Sequence, residues 1–82
     1  MYIVRWKRSA LSRLTQLWLD ALDRTAVTAA VAEIDRLLAG NPHQAGESRS
    51  GELRVLFVPP LGVFFEVEEP ARTVHVLRVW TF

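Results

Sequence analysis

The stretch from Leu53 to Trp80 constrains the fold most. Three runs rich in β-branched and aromatic residues, Leu53–Val58, Val63–Glu68 and Thr73–Trp80, are separated by two proline turns, Pro59-Pro60-Leu61-Gly62 and Glu69-Pro70-Ala71-Arg72. Strands joined by turns this short pair antiparallel, because a parallel pair needs a connection of a dozen residues or more. Everything upstream must therefore pack onto a small meander.

The upstream residues supply one more strand and two helices. Tyr2, Val4 and Trp6 alternate with Arg5 and Lys7, the period of a strand with one apolar face. Ser9 is an N-cap candidate. Leu11, Leu14, Trp18, Ala21 and Leu22 then recur at helical spacing, widened by Leu17 and Leu19. Asp23-Arg24-Thr25 breaks that stripe and offers a cap for the next one, Val27, Ala30, Val31, Ile34 and Leu38. Gly40-Asn41-Pro42 ends it. A joint this tight returns the second helix along the first, as a helical hairpin. Residues 41–51 are polar and read as a loop. The predicted order is strand, helix, helix and three strands: an α+β domain over residues 1–82, a two-layer βααβββ arrangement with an antiparallel sheet and the hairpin on one face.

Composition limits what such a domain does. Half of the 82 residues are hydrophobic, yet a chain this short buries only roughly 60% of its unfolded surface, so apolar surface is left for a partner. There is no cysteine, which removes disulfides, thiolate metal sites and thiol nucleophiles and suits a reducing cytoplasm. Ten Lys and Arg against nine Asp and Glu argue against a general nucleic-acid coat. The opening residues do not read as a secretory signal. The longest near-apolar run, Val55–Phe65, is far short of the ~20 residues of a membrane-spanning helix. His43 and His75 have no second ligand at metal spacing, so neither a metal nor a cofactor is expected.

Two helices cover one sheet face and leave the other bare. With Leu53, Val55, Phe57, Val63, Phe65 and Val67 facing the helices, the bare face carries Arg54, Leu56, Val58, Phe64 and Glu66. Leu56, Val58 and Phe64 then form an apolar patch, the mark of an interaction site. Arg54 and Arg78 on the same face would hold phosphates or partner carboxylates, or pair with Glu52, Glu66 or Glu68 across strands. Trp80, sharing parity with Val76 and Arg78, is a candidate anchor. Arg49 either pins its loop beside Glu47 or meets the partner. Arg5, Lys7, Arg8 and Arg13 form the one basic run, read as a solvated face with weak pull on nucleic acid.

The chain resembles the RelE/ParE superfamily of toxins from bacterial type II toxin–antitoxin modules, which includes plasmid stabilisation proteins. The resemblance spans nearly the whole sequence. It is carried by Tyr2-Ile3-Val4-Arg5-Trp6, Ala10 and Leu14, Ile34 and Leu37-Leu38, and Asn41-Pro42. It continues through Gly46-Glu47-Ser48-Arg49, Arg54-Val55-Leu56, Leu61-Gly62-Val63-Phe64-Phe65-Glu66-Val67 and Val74-His75-Val76-Leu77-Arg78-Val79. It implies growth inhibition by one of two routes, messenger RNA cleavage on the ribosome or poisoning of DNA gyrase. In both, a cognate antitoxin segment wraps and silences the toxin.

The ribonuclease pattern implies a catalytic arginine entering the third strand and a basic tail ending in tyrosine or histidine. Here the first neighbourhood is Leu61-Gly62-Val63, without a cation, and the last strand runs out at Thr81-Phe82. The remaining catalytic candidates are Arg49, Arg54, Arg78 and His75. His75 sits among apolar strand residues and reads first as a packed histidine, since a general base needs an orienting partner. The expectation is therefore a toxin that acts by contact, with partner-binding residues Arg54, Leu56, Val58, Phe64, Arg78 and Trp80. The alternatives are a reduced ribonuclease, or an inactive homologue kept as an interaction module.

Overall fold

The computed structural model describes residues 1–82. The elements are β1 (Ile3–Trp6), α1 (Arg8–Asp20), α2 (Arg24–Gly40), β2 (Glu47–Ser50), β3 (Leu53–Val58), β4 (Leu61–Glu68) and β5 (Thr73–Thr81). They form one five-stranded sheet in the order β1-β5-β4-β3-β2, with the two helices on one face. The two-layer α+β reading holds.

Two details differ from the sequence expectation. The polar loop contains a strand: Glu47–Ser50 pairs antiparallel with β3 through a turn at Gly51, whose φ of +56° suits glycine. All four residues of β2 are exposed. An edge strand wetted on both faces carries no apolar alternation, so no periodic signal marks it. The sheet is also mixed. β1 lies parallel to β5, with Val4 beside Val74 and Trp6 beside Val76. The whole domain intervenes between these strands, so no hairpin forces an antiparallel pair.

The helix ends follow local chemistry. Asp23 caps α2 as expected, its carboxylate accepting from the Ala26 amide at 3.0 Å. At α1 the cap falls on Lys7 instead of Ser9, with no side-chain bond to the free amides. No acidic residue lies in its first turn, so the positive end of that helix stays uncompensated.

The core lies between the helices and the covered face. Val27, Ala30, Ile34 and Leu38 of α2 and Leu17 of α1 meet Leu56, Leu61, Val63, Phe65, Val74, Val76 and Val79. Ile34 and Phe65 are fully buried. This reverses the expected facing of β3. Leu56 pairs with Val63 and Val58 with Leu61 beneath the helices, so neither belongs to the bare face. Val55 and Phe57 take that face, opposite Phe64 and Gly62. Both alternating sets of β3 are largely apolar, so alternation alone cannot choose between them; the pairing with β4 does.

A bulge in β5 makes the second correction. Phe65 pairs with Val76 but Phe64 pairs with Arg78, leaving Leu77 as the extra residue. Parity inverts across it. Val74 and Val76 point to the core, and so does Val79, whereas Arg78 and Trp80 turn to the bare face with His75. The expected sharing of a face by Trp80 and Val76 is therefore overturned.

The start of the chain is fastened at the opposite end of the sheet. The Tyr2 amide donates to the Ala39 carbonyl at the end of α2. Its hydroxyl donates to Glu69, which also bonds His43 Nε2 at 2.9 Å. The Arg72 guanidinium lies 4.4 Å from the centre of the Tyr2 ring. The bond to His43, then that to Tyr2, holds the Glu69 carboxyl below its ordinary 4.5. The bond to Glu69 in turn raises the Tyr2 hydroxyl.

Two outcomes follow for stability. Leu56→Ala is expected to lower the unfolding free energy by about 2–5 kcal/mol, since it opens a cavity under the helices. Phe57→Ala, on the open side, should cost clearly less; urea denaturation reads both, and equal losses would contradict the facing assigned here. A carboxyl held low when folded stabilises above its unfolded value of 4.5, and that contribution fades as pH falls through the folded value. The stability gap between the parent chain and Glu69→Gln should therefore be full at pH 6 and shrink below pH 4. A gap independent of pH would contradict the role given to Glu69.

Candidate partner-binding face

The uncovered face is built by cross-strand rows. Trp80 stands directly across from Gly62, and a Cβ at Gly62 would come within 2.6 Å of the indole ring. Glycine is thus what lets the indole lie against β4. Phe57, Phe64 and Phe82 gather around this pair. Phe57 meets Trp80 edge-on with ring centres 6.1 Å apart, and meets Phe82 at 5.3 Å. Phe64 and Trp80 are 4.8 Å apart. Phe57 and Phe82 are 49% and 65% exposed. The cluster is therefore an exposed aromatic surface, built of residue types that anchor partners.

Cations border it. Lys7, Ser9, Ala10 and Arg13 from the start of α1 join Phe64, Leu77, Arg78, Val79 and Trp80 around a groove of about 460 Å³. The ion pairs of the chain are Glu33–Arg36, His43–Glu69 and His75–Glu68, so Lys7, Arg13 and Arg78 are all unpaired. The uncapped, positive end of α1 adds to the same field. Towards the β4–β5 turn the sign changes. Glu66 and Glu68 lie further along β4, and with His43, Glu52, Glu69 and His75 they line a second depression. His75 Nε2 sits 2.7 Å from Glu68.

The candidate residues separate into four groups. Phe64, Arg78 and Trp80 stand together on the bare face, with His75 two residues along β4 at its pair, Glu66. Leu56 and Val58 are core. Arg54 is on the helix side, so it does not share a face with Arg78, and it pairs with none of the expected glutamates. Its guanidinium reaches the carbonyls of Ala45 and Gly46 at 3.3 and 3.4 Å, while Nε is buried without a partner. It pins the loop after α2 where Gly46 crosses β3, a crossing so close that any Cβ would meet the Val55 carbonyl. Arg49 lies in the exposed edge strand β2 and forms no ion pair with Glu47.

Sequence reasoning missed Phe57, Phe82 and Gly62, whose roles depend on the β3 register and the β5 bulge. Lys7 and Arg13 had been visible only as a basic run. Gly62→Ala is expected to push the Trp80 indole off β4, at a cost of about 1–3 kcal/mol, and to shift tryptophan emission to longer wavelength. Unchanged emission would contradict the packing.

No protein-family model matches the chain, and no curated protein matches it. Solved structures do. The toxin–antitoxin complex RelBE2 from Mycobacterium tuberculosis superposes with a TM-score of 0.82 at 19% identity, over 99% of this chain and 91% of that one. The chromosomal ParDE toxin–antitoxin system of P. aeruginosa gives 0.75 at 20% identity, over 99% and 96%. The isolated E. coli RelE toxin gives 0.72 at 15% identity, over 99% and 84%. Likeness of this extent at such low identity lies in the backbone: the chain has the RelE/ParE-like toxin fold.

Proposed function

We propose that this chain is the toxin of a bacterial type II toxin–antitoxin module, that it acts in the cytoplasm by binding a cellular target, and that a cognate antitoxin segment silences it by covering the bare sheet face. The observation that carries the reading is the aromatic cluster around Trp80, bordered by unpaired Lys7, Arg13 and Arg78, on a fold shared with toxin chains. An apolar centre with a charged border is the anatomy of a protein-binding surface.

Contact is favoured over catalysis by two features. The family resemblance implies a catalytic arginine on entry to the strand that is β4 here; Gly62 stands there, covered by the Trp80 indole. Both histidines are hydrogen-bonded to glutamates at the β4–β5 turn, and neither lines the cationic groove. A general base needs reach to the proton it removes. A gyrase-type target fits the contact reading. A ribosome-dependent ribonuclease is the second reading, favoured by the groove of Lys7, Arg13 and Arg78, which has the charge to hold a phosphate.

Inducible expression in bacteria tests both. The expected result is growth arrest with messenger RNA intact, relieved by Trp80→Ala and by Arg78→Ala in protein that still folds by circular dichroism. Absence of arrest would remove the toxin reading, and cleaved messenger RNA would replace contact with catalysis.

A further inference from the structure

We infer that the occupant of the bare face is a peptide segment whose side chains run apolar, acidic, basic along β4. The inference rests on the partner-binding reading above and adds the chemistry and order of what binds.

The face presents four rows, each two residues along β4 from the last and so about 7 Å apart. The first is Gly62 with Trp80, walled by Phe57, and it takes an apolar side chain. The second is Phe64 with Arg78, flanked by Lys7 and Arg13 across the groove, and it takes a carboxylate. The third is Glu66 with His75, and the fourth is Glu68 with Thr73. Of these two glutamates, Glu68 is bonded to His75, while Glu66 has no ion-pair partner. Glu52 opens to the same depression. These rows take a cation. Arg5, beside His75 on β1, extends the cationic border along the sheet edge instead of neutralising Glu66.

A nucleic acid fits this order poorly. A phosphate held at Arg78 would have its neighbour repelled by Glu66 and Glu68 on one side and set against exposed aromatic edges on the other. A peptide can change the sign of its charge within one row. In an extended segment the three side chains fall at i, i+2 and i+4. In a helix, with its rise of about 1.5 Å per residue, they fall at i, i+4 and i+8.

Four synthetic peptides test this by calorimetry on the purified full chain. One extended and one helical design carry Leu, Glu and Lys in the stated order; each has a partner of identical composition with Glu and Lys exchanged. At least one ordered peptide should bind about tenfold more tightly than its exchanged partner. The preference should invert in the double variant Arg78→Glu/Glu66→Lys, whose substitutions both lie at the sheet surface. Equal binding of ordered and exchanged peptides, binding of none of the four, or tighter binding of a short single-stranded RNA would overturn the inference. Order preference in a chain that arrests no growth would leave the inference standing and remove the toxin reading. Arrest without order preference would do the reverse.

Discussion

The structure is governed by a mismatch between what two helices can cover and what five strands expose. Strands spaced about 4.8 Å apart give a sheet roughly 20 Å across, and two packed helices about 10 Å apart roof one such face. No element remains for the second face. The core is consequently one-sided, with Phe65 and Ile34 at its centre. The other side must be made from residues that tolerate contact with water. Aromatic side chains meet that demand, because they offer much apolar area while sacrificing few rotamers. Phe57, Phe64, Trp80 and Phe82 are that solution here.

Two small devices decide which side chains reach that face. One is the β5 bulge, which lets a strand apolar in both parities send Val79 inward and Trp80 outward. The other is Gly62, which clears a seat for the indole. Both act through the backbone. They also link the site to stability, since the residues that shape the face belong to the same strands that hold the core.

The sequence revealed the architecture better than the face. Helices and long strands were legible because one side of each is consistently apolar, and Asp23 marked its own cap. The Tyr2–Val4–Trp6 alternation placed β1 in the same way. β2 was not legible, because Glu-Ser-Arg-Ser in an exposed edge has nothing to bury. The facing of Leu56 and Val58 was read wrongly for the opposite reason: β3 is apolar on both sides, and only its register with β4 separates them. Arg54 looked like a site residue, since an arginine in a strand is usually solvated. Its role as a pin for the loop after α2 depends on carbonyls nine and eight residues upstream. The electrostatic split was legible only in part: Lys7 and Arg13 were seen as a run, but their convergence with Arg78 required the fold.

The pairing of β1 with β5 also bears on synthesis. Ile3 lies beside Thr73, so the edge strand made first has to wait for a neighbour made last. Contacts this distant in sequence close slowly, and a ribosome adds only about 5–20 residues per second. Until Thr73–Thr81 docks, the sheet lacks the strand that joins β1 to β4. Phe57 and Phe64 then stand without Trp80 beside them. A newly made chain therefore passes through an interval in which its aromatic residues are bare and its face unassembled.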